Sequence, residues 1–299
     1  MGPNRHFSGH TVARLQIHFC VFVWGFTAIL GKLISLQALP LVWWRMVLVS
    51  GLLALLPRAR RGIGRLTPRQ RAEFAGVGIV LSLHWLTFYA SIKLANASVA
   101  ATCIALSPVF LALIEPWIAG RAFDRRELVF GIVALPGVAL VVGGTPTQMQ
   151  SGILVGALSA LLLGLFGSLN KRFLGRADVF SVTLIEMAAG VATLTALTLV
   201  LPGTDSFTLP SLRDLSFLTV LAVACTVLPF SLSLVALRQL SAFETQLAVN
   251  IEPIYAILLA IAVFGEQREL TASFYLGVAI LVSVVVGHGW LVGRERSRP

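Results

Sequence analysis

The chain has 299 residues, 57% of them hydrophobic and only 12% charged, with a mean hydropathy of +0.88. A soluble domain carries roughly twice that charge fraction, so the apolar surplus excludes an ordinary water-soluble fold and must face lipid. The formal charge of +10 lies in short segments between apolar runs rather than on a basic face, which excludes nucleic-acid binding and points to membrane orientation and anionic headgroups.

A spanning helix needs about 17 to 25 mainly apolar residues. Runs of that kind at 15–34, 38–57, 73–92, 96–119, 127–143, 151–170, 178–201, 213–236, 241–264 and 270–290 predict ten transmembrane helices. Only the connections 58–72 and 202–212 have any length, so no separate soluble domain is expected. Period-two alternation is absent, which argues against a barrel.

The first run follows a short basic segment and resembles a signal peptide. It ends in Gly31-Lys32-Leu33 rather than at a small-x-small cleavage site, so it is expected to remain as the first span. Trp24-Gly25 permits close helix approach, with Trp24 a candidate cavity wall. The second run carries Arg45 behind Trp43 and Trp44, and the seventh carries Glu186 at a nearly matching place. A charge at membrane depth costs about 3 kcal/mol on insertion scales, so each needs a reason. Three readings fit: an interhelical pair, a proton-linked or substrate-anchoring site, and, for Arg45, snorkelling to the interface.

In the third run, His84, Trp85 and Phe88 share one face, with Tyr89 beside them. The aromatics suit a flat solute, and a histidine can relay protons; the bland alternative is a histidine satisfied by a backbone carbonyl. Asn96 and Ser241 are expected helix caps after tight turns, and Leu56-Pro57 a helix end. Glu115-Pro116 falls near the inner end of the fourth run, where pairing with Arg121 or snorkelling is expected. The fifth is short and contains Pro136-Gly137. The Gly/Ala/Ser stretches 156–168 and 188–197 read as packing faces. The ninth run is unusually polar, with Glu244, Gln246, Asn250 and Glu252; Thr245 and Glu252 share a face, and Pro253 loosens the ladder beside Glu252. That makes Glu252 the first single candidate for a substrate or coupling site. Lys32, Lys93, Lys171 and Arg238 lie at helix ends, as interface residues that could also present positive charge to an anionic solute.

Assigning loops by charge puts 18 Lys and Arg on one side, Arg268 among them, and four on the other: Lys32, Lys93, Arg213 and Arg238. The richer side is expected to be cytoplasmic, with both termini there. The chain also resembles itself at a period near 145 residues. Ser107-Pro108-Val109-Phe110 matches Glu252-Pro253-Ile254-Tyr255, Gly120 matches Gly265, Ile92-Lys93 matches Leu237-Arg238, and Gly25 through Lys32 matches Gly164 through Lys171. Five helices per unit is odd, so units 14–144 and 151–290 are expected to be inverted repeats, a recurring device of secondary transporters.

Cys20, Cys103 and Cys225 fall in apolar segments without metal or disulfide spacing, and the five histidines are scattered. With no HExxH, no P-loop and no clustered acid–base set, no catalysis, cofactor or metal is expected. The absence of a filter-like loop argues against a channel; a non-transporting receptor or scaffold is a further alternative.

Ten short-looped helices with paired Pro108/Pro253 and Gly120/Gly265 stretches resemble the EamA family of the drug/metabolite transporter superfamily over about residues 14–290. Trp24-Gly25 resembles its first-helix motif, Arg45 its second-helix arginine, and Gly265-Glu266 the Gly-Glu after its ninth helix; the first half departs there, with Arg121 after Gly120. The resemblance implies a multi-pass inner-membrane exporter of amino acids and related metabolites with a central cavity. It also implies an alternative, since relatives carry sugar phosphates and nucleotide sugars. Cavity or coupling candidates are Trp24, Arg45, His84, Trp85, Tyr89, Glu186, Asn250 and Glu252. The expected partners are a small-molecule substrate, the lipid bilayer, protons as a coupling ion and a second copy in a homodimer.

Overall fold

A computed structural model describes residues 9–119, 125–175, 177–200, 205–240, 242–249 and 251–296. These form α1 (Gly9–Leu33), α2 (Ala38–Leu55), α3 (Pro57–Gly64), α4 (Pro68–Leu94), α5 (Ala97–Ile104), α6 (Ser107–Ala119), α7 (Arg125–Gly143), α8 (Gln150–Phe173), α9 (Val179–Val200), α10 (Leu212–Ala222), α11 (Leu228–Leu237), α12 (Ala242–Val249), α13 (Glu252–Phe264) and α14 (Ala272–Arg296). The protein is all-α and polytopic. Six stretches are long and apolar enough to cross a membrane: α1, α2, α4, 147–173, α9 and 212–237. Shorter apolar helical stretches lie at Ala97–Leu111, Ile132–Gly143, Glu252–Phe264 and Ala272–Val284. Leu55, Trp117, Leu154 and Leu199 are each at least 75% exposed, a rim that water would not tolerate and lipid does.

The local chemistry accounts for most boundaries. Thr67 caps α4 by accepting from the Gln70 amide, while the Gln70 side chain accepts from the Thr67 amide. This reciprocal box, with Pro68 in the first turn, starts the helix five residues before the apolar run at 73 does. Asn96 accepts from Val99 N at 2.9 Å and opens α5, whereas Ser241 lies outside the described residues. The connection expected at 58–72 is largely helical, because Pro57 ends one helix and pre-sets the first turn of α3.

Two of the predicted runs are interrupted. The fourth divides into α5 and α6 at 105–106, and in the ninth Ile251 lies in a turn that directly precedes α13. The second segments begin at Ser107 and at Glu252, the first members of the matched tetrads, each followed by a proline that cannot donate to the preceding turn. A third irregularity is a π-helical turn at Val223–Val227, ahead of Pro229. By contrast, α7 passes through Pro136 unbroken.

Helix α4 packs on α8 and α9, α1 on α11 and α13, and α7 on α14. One apolar core joins α1, α2, α4, α9 and α11, and a smaller one sits among α5, α7 and α14. Close crossings depend on missing side chains: a Cβ on Gly78 of α4 would lie 2.3 Å from the Glu186 carbonyl oxygen of α9.

The structure corrects the side given to two basic residues. Lys32 bonds Glu266 at 2.8 Å, so the turn containing Arg268 lies at the Lys32 end of the bundle. Arg238 donates to the Ala177 carbonyl, at the end where Arg58 meets Asp178. The two exchange sides and the count of 18 to four is unchanged. Charge alone misplaced them because each sits in a very short turn between adjacent helices.

Candidate functional site

The interrupted and crossing helices enclose a cavity in the middle of the bundle. Its aromatic wall comes from Trp24 on α1, Trp85 and Phe88 on α4, Phe166 on α8 and Phe230 on α11. Polar groups are spaced around it: Thr27, Arg45, His84, Asn170, Thr226, Ser233, Thr245 and Glu252. Trp24 reaches it because the next residue is Gly25, where a Cβ would lie 2.8 Å from the Cβ of Tyr255, so α1 can lie directly against α13.

Arg45 is 3% exposed, which removes the snorkelling reading. Its Nε donates to Thr226 Oγ1 at 2.8 Å and its Nη1 to the Tyr89 hydroxyl at 2.9 Å. The guanidinium carbon lies 3.7 Å from the Trp85 ring centroid. Two donors and one face are thereby fixed, while Nη2 has no partner among the described residues. Thr226 can accept because its own hydrogen goes to the Leu221 carbonyl at 2.7 Å, five residues back across the π turn. Tyr89, fully buried, stands behind Arg45 rather than lining the cavity.

Glu252 is the first residue of α13, 9% exposed, where the positive end of the helix dipole favours a carboxylate. Arg45 and Glu252 line the same cavity without forming an ion pair. Among the described residues they are the only Lys, Arg, Asp or Glu in its wall. His84 Nδ1 lies 2.9 Å from the Ser159 carbonyl oxygen and 2.9 Å from its hydroxyl, so this nitrogen is held by backbone and hydroxyl while the ring faces the cavity.

Glu186 lies elsewhere. It is fully buried on α9 beside Asn170, and neither carboxyl oxygen has a hydrogen-bond partner. It forms no pair with Arg45, whose polar partners are Thr226 and Tyr89. Asn250 lies outside the described residues. The helix-end cations are committed as well: Lys32 to Glu266, Lys93 to the Ile34 carbonyl, and Lys171 to the carbonyls of Leu237 and Leu240. None of them lines the cavity. Glu244 is held by Arg14 at 3.7 Å, at the edge of the bundle.

Sequence reasoning did not single out Thr226, Phe166, Phe230 or Asn170. The proline at 229 in an apolar run, with a threonine three residues before it, was the available signal for the first. Phe166 and Phe230 carry no such signal, since aromatic residues are common on lipid-facing and packing surfaces alike.

No curated protein matches the chain. A crystal structure of a protein 17% identical superposes with a TM-score of 0.62, over 96% of this chain and 99% of its own; at that identity the likeness concerns the fold. The sequence pattern of the EamA-like transporter family matches twice, at residues 13–143 and 150–287. The chain therefore belongs to the EamA family of the drug/metabolite transporter superfamily, multi-pass membrane transporters of small molecules.

Proposed function

We propose that the protein is a secondary transporter of zwitterionic organic solutes of the amino-acid type, working by alternating access through the Arg45–Glu252 cavity. One observation carries the assignment: a fixed guanidinium and an acidic side chain face one aromatic-walled cavity from different helices without standing at ion-pair distance from each other. A solute carboxylate would take the remaining Arg45 edge, its ammonium would approach Glu252, and its side chain would lie among Trp24, Trp85, Phe166 and Phe230. Each charge so placed replaces water by an opposite charge in a medium of low dielectric, where such pairs matter most. A sugar phosphate or nucleotide sugar fits less well, because the cavity wall offers a single cation among the described residues.

The four shorter apolar stretches complete ten spans, and the units 14–144 and 151–290 form inverted repeats. The two successive family matches and the interruptions at matched positions support this arrangement. The excess of Lys and Arg supports a placement with both termini cytoplasmic; the inner-membrane setting and export as the working direction rest on the family resemblance.

The test is flux in proteoliposomes of labelled neutral and aromatic amino acids, their amides and decarboxylated amines, and a sugar phosphate, with and without a pH gradient. Saturable flux of the intact amino acid, lost on amidation, is expected. Equal flux of the amide would remove the role given to Arg45, and flux of the phosphate alone would favour the anionic alternative. Dependence on the gradient would make protons the coupling ion, with Glu252 as the group that exchanges them.

A further inference from the structure

We infer that Glu266 is the latch that holds the Lys32 end of the cavity closed, so that opening toward that face requires its carboxylate to leave three donors. The assignment rests on the alternating-access reading. Glu266 is fully buried although it belongs to a turn between α13 and α14. Gly265 takes a left-handed conformation at φ 69°, ψ 30°, ending α13 and turning the chain so that the next side chain points back into the bundle. There Glu266 accepts from Lys32 Nζ at 2.8 Å, from Ala97 N at 3.1 Å and from Ser98 N at 2.8 Å. The last two are orphan amides in the first turn of α5, where the helix dipole adds to the attraction.

One carboxylate thus joins the end of α1, the start of α5 and the end of α13. Its surroundings reinforce it: Asn96, the cap of α5, donates to Glu269 Oε2 at 2.9 Å, and the Lys32 ammonium lies over the Phe264 ring at 4.7 Å. None of Lys32, Asn96, Ser98 or Glu266 lines the cavity. The cavity instead runs from Arg45 toward Asn170, Leu237 and Thr245, at the end marked by Lys171.

Among the described residues, no fully buried carboxylate ties three helices together at the opposite end. Lys171 matches Lys32 in the sequence repeat, yet it donates to the Leu237 and Leu240 carbonyls, and the carboxylate near it, Glu244, is half-buried and held by Arg14 at 3.7 Å. In the sequence repeat the residue that matches Glu266 is Arg121, after Gly120. A buried carboxylate with three donors at one end, against carbonyl contacts and the more exposed pairs Arg14–Glu244 and Arg58–Asp178 at the other, gives the closed Lys32 end the lower free energy. The resting protein is therefore open toward the Lys171 end.

Cys225 reports on this without any substrate, because it lines the cavity and becomes the sole thiol once Cys20 and Cys103 are replaced by alanine. In that background, a membrane-impermeant charged methanethiosulfonate reagent is applied from either face of oriented vesicles. Glu266→Gln keeps the shape and loses the charge, and should raise the labelling rate from the Lys32 face by about tenfold, the size of a modest population shift. Lys32→Met should do the same, and it changes a residue whose side chain is 28% exposed, so it serves if Glu266→Gln does not fold. The double variant Lys32→Glu/Glu266→Lys should not restore slow labelling, since a lysine cannot accept from the α5 amides; restoration would reduce the latch to a simple ion pair. Unchanged labelling from the Lys32 face in folded Glu266→Gln or Lys32→Met would overturn the latch. Flux with unchanged labelling removes the latch alone, whereas faster labelling without flux of any solute keeps the latch and removes the transport assignment.

Discussion

Arg45 and Glu186 are each the eighth residue of their helix, α2 and α9, and both are buried. Their surroundings differ sharply. Arg45 is held by a hydroxyl on each side and an aromatic face, and it keeps one edge toward the cavity. Glu186 has no hydrogen bond to either oxygen, and its backbone is pressed against Gly78. The same place in two helices thus carries unequal chemistry. A buried charge whose donors are paired costs less to keep than one without partners, and at the latter removing the charge should cost little.

The largest expected effect follows from the supported member. Arg45→Ala leaves the Tyr89 hydroxyl and Thr226 without their partner and the cavity without its cation, a loss of about 3 kcal/mol or roughly 100-fold in kcat/KM for the carboxylate-bearing solute. Arg45→Lys should recover little, because an ammonium cannot bond Thr226 and Tyr89 in a plane while lying flat on Trp85. Proteoliposome flux measures both. Flux of the amide analogue serves as the control, since it should be slow in the parent and change little in either variant.

Next in size is the crossing that buries Glu186. Gly78→Ala places a methyl group 2.3 Å from a backbone oxygen, and neither helix backbone can yield locally. Overpacking of this kind costs about 2 kcal/mol, read as a lower apparent Tm in detergent. An unchanged Tm would mean that α4 and α9 separate more easily than their packing indicates.

How much of this was legible in the sequence depends on the range of the interaction. The depth of Arg45 and Glu252 in apolar runs was legible, although it left Arg45 between burial and snorkelling, and the placement of Trp24, His84 and Trp85 on the cavity wall followed from helical face. The partners did not follow: Thr226 meets Arg45 only because a π turn rotates it inward, and 181 residues separate the two. The pairing of Lys32 with Glu266 spans 234 residues, so Lys32 appeared as an ordinary interface charge and Glu266 only as part of the Gly-Glu that resembles the family motif. The interruptions at 105–106 and at Ile251 were hidden because hydropathy is continuous through them, and only the prolines at 108 and 253 hinted at a break.

Glu252→Gln ranks third. The change keeps the shape at the start of α13 and removes the charge facing the ammonium, so about a tenfold rise in KM with little change in kcat is expected, a uniform binding effect. A solute lacking the amine should lose its handicap in this variant, which separates a binding role for Glu252 from a structural one.

The smallest effect tests the other half of the comparison. Glu186→Gln is nearly isosteric, and the new amide can donate to Asn170, whose own amide atoms lack partners. Removing an unsupported acid from a fully buried position should be neutral or stabilising, by about 1 kcal/mol or a rise of roughly 2 °C in apparent Tm. Flux should stay within about twofold of the parent. A different pattern would break the comparison: gradient-driven flux abolished while solute exchange persists. In that case the carboxyl beside Asn170 would be the coupling group, its lack of partners in this conformation would be the condition for accepting a proton, and α2 and α9 would divide substrate and ion between the two halves.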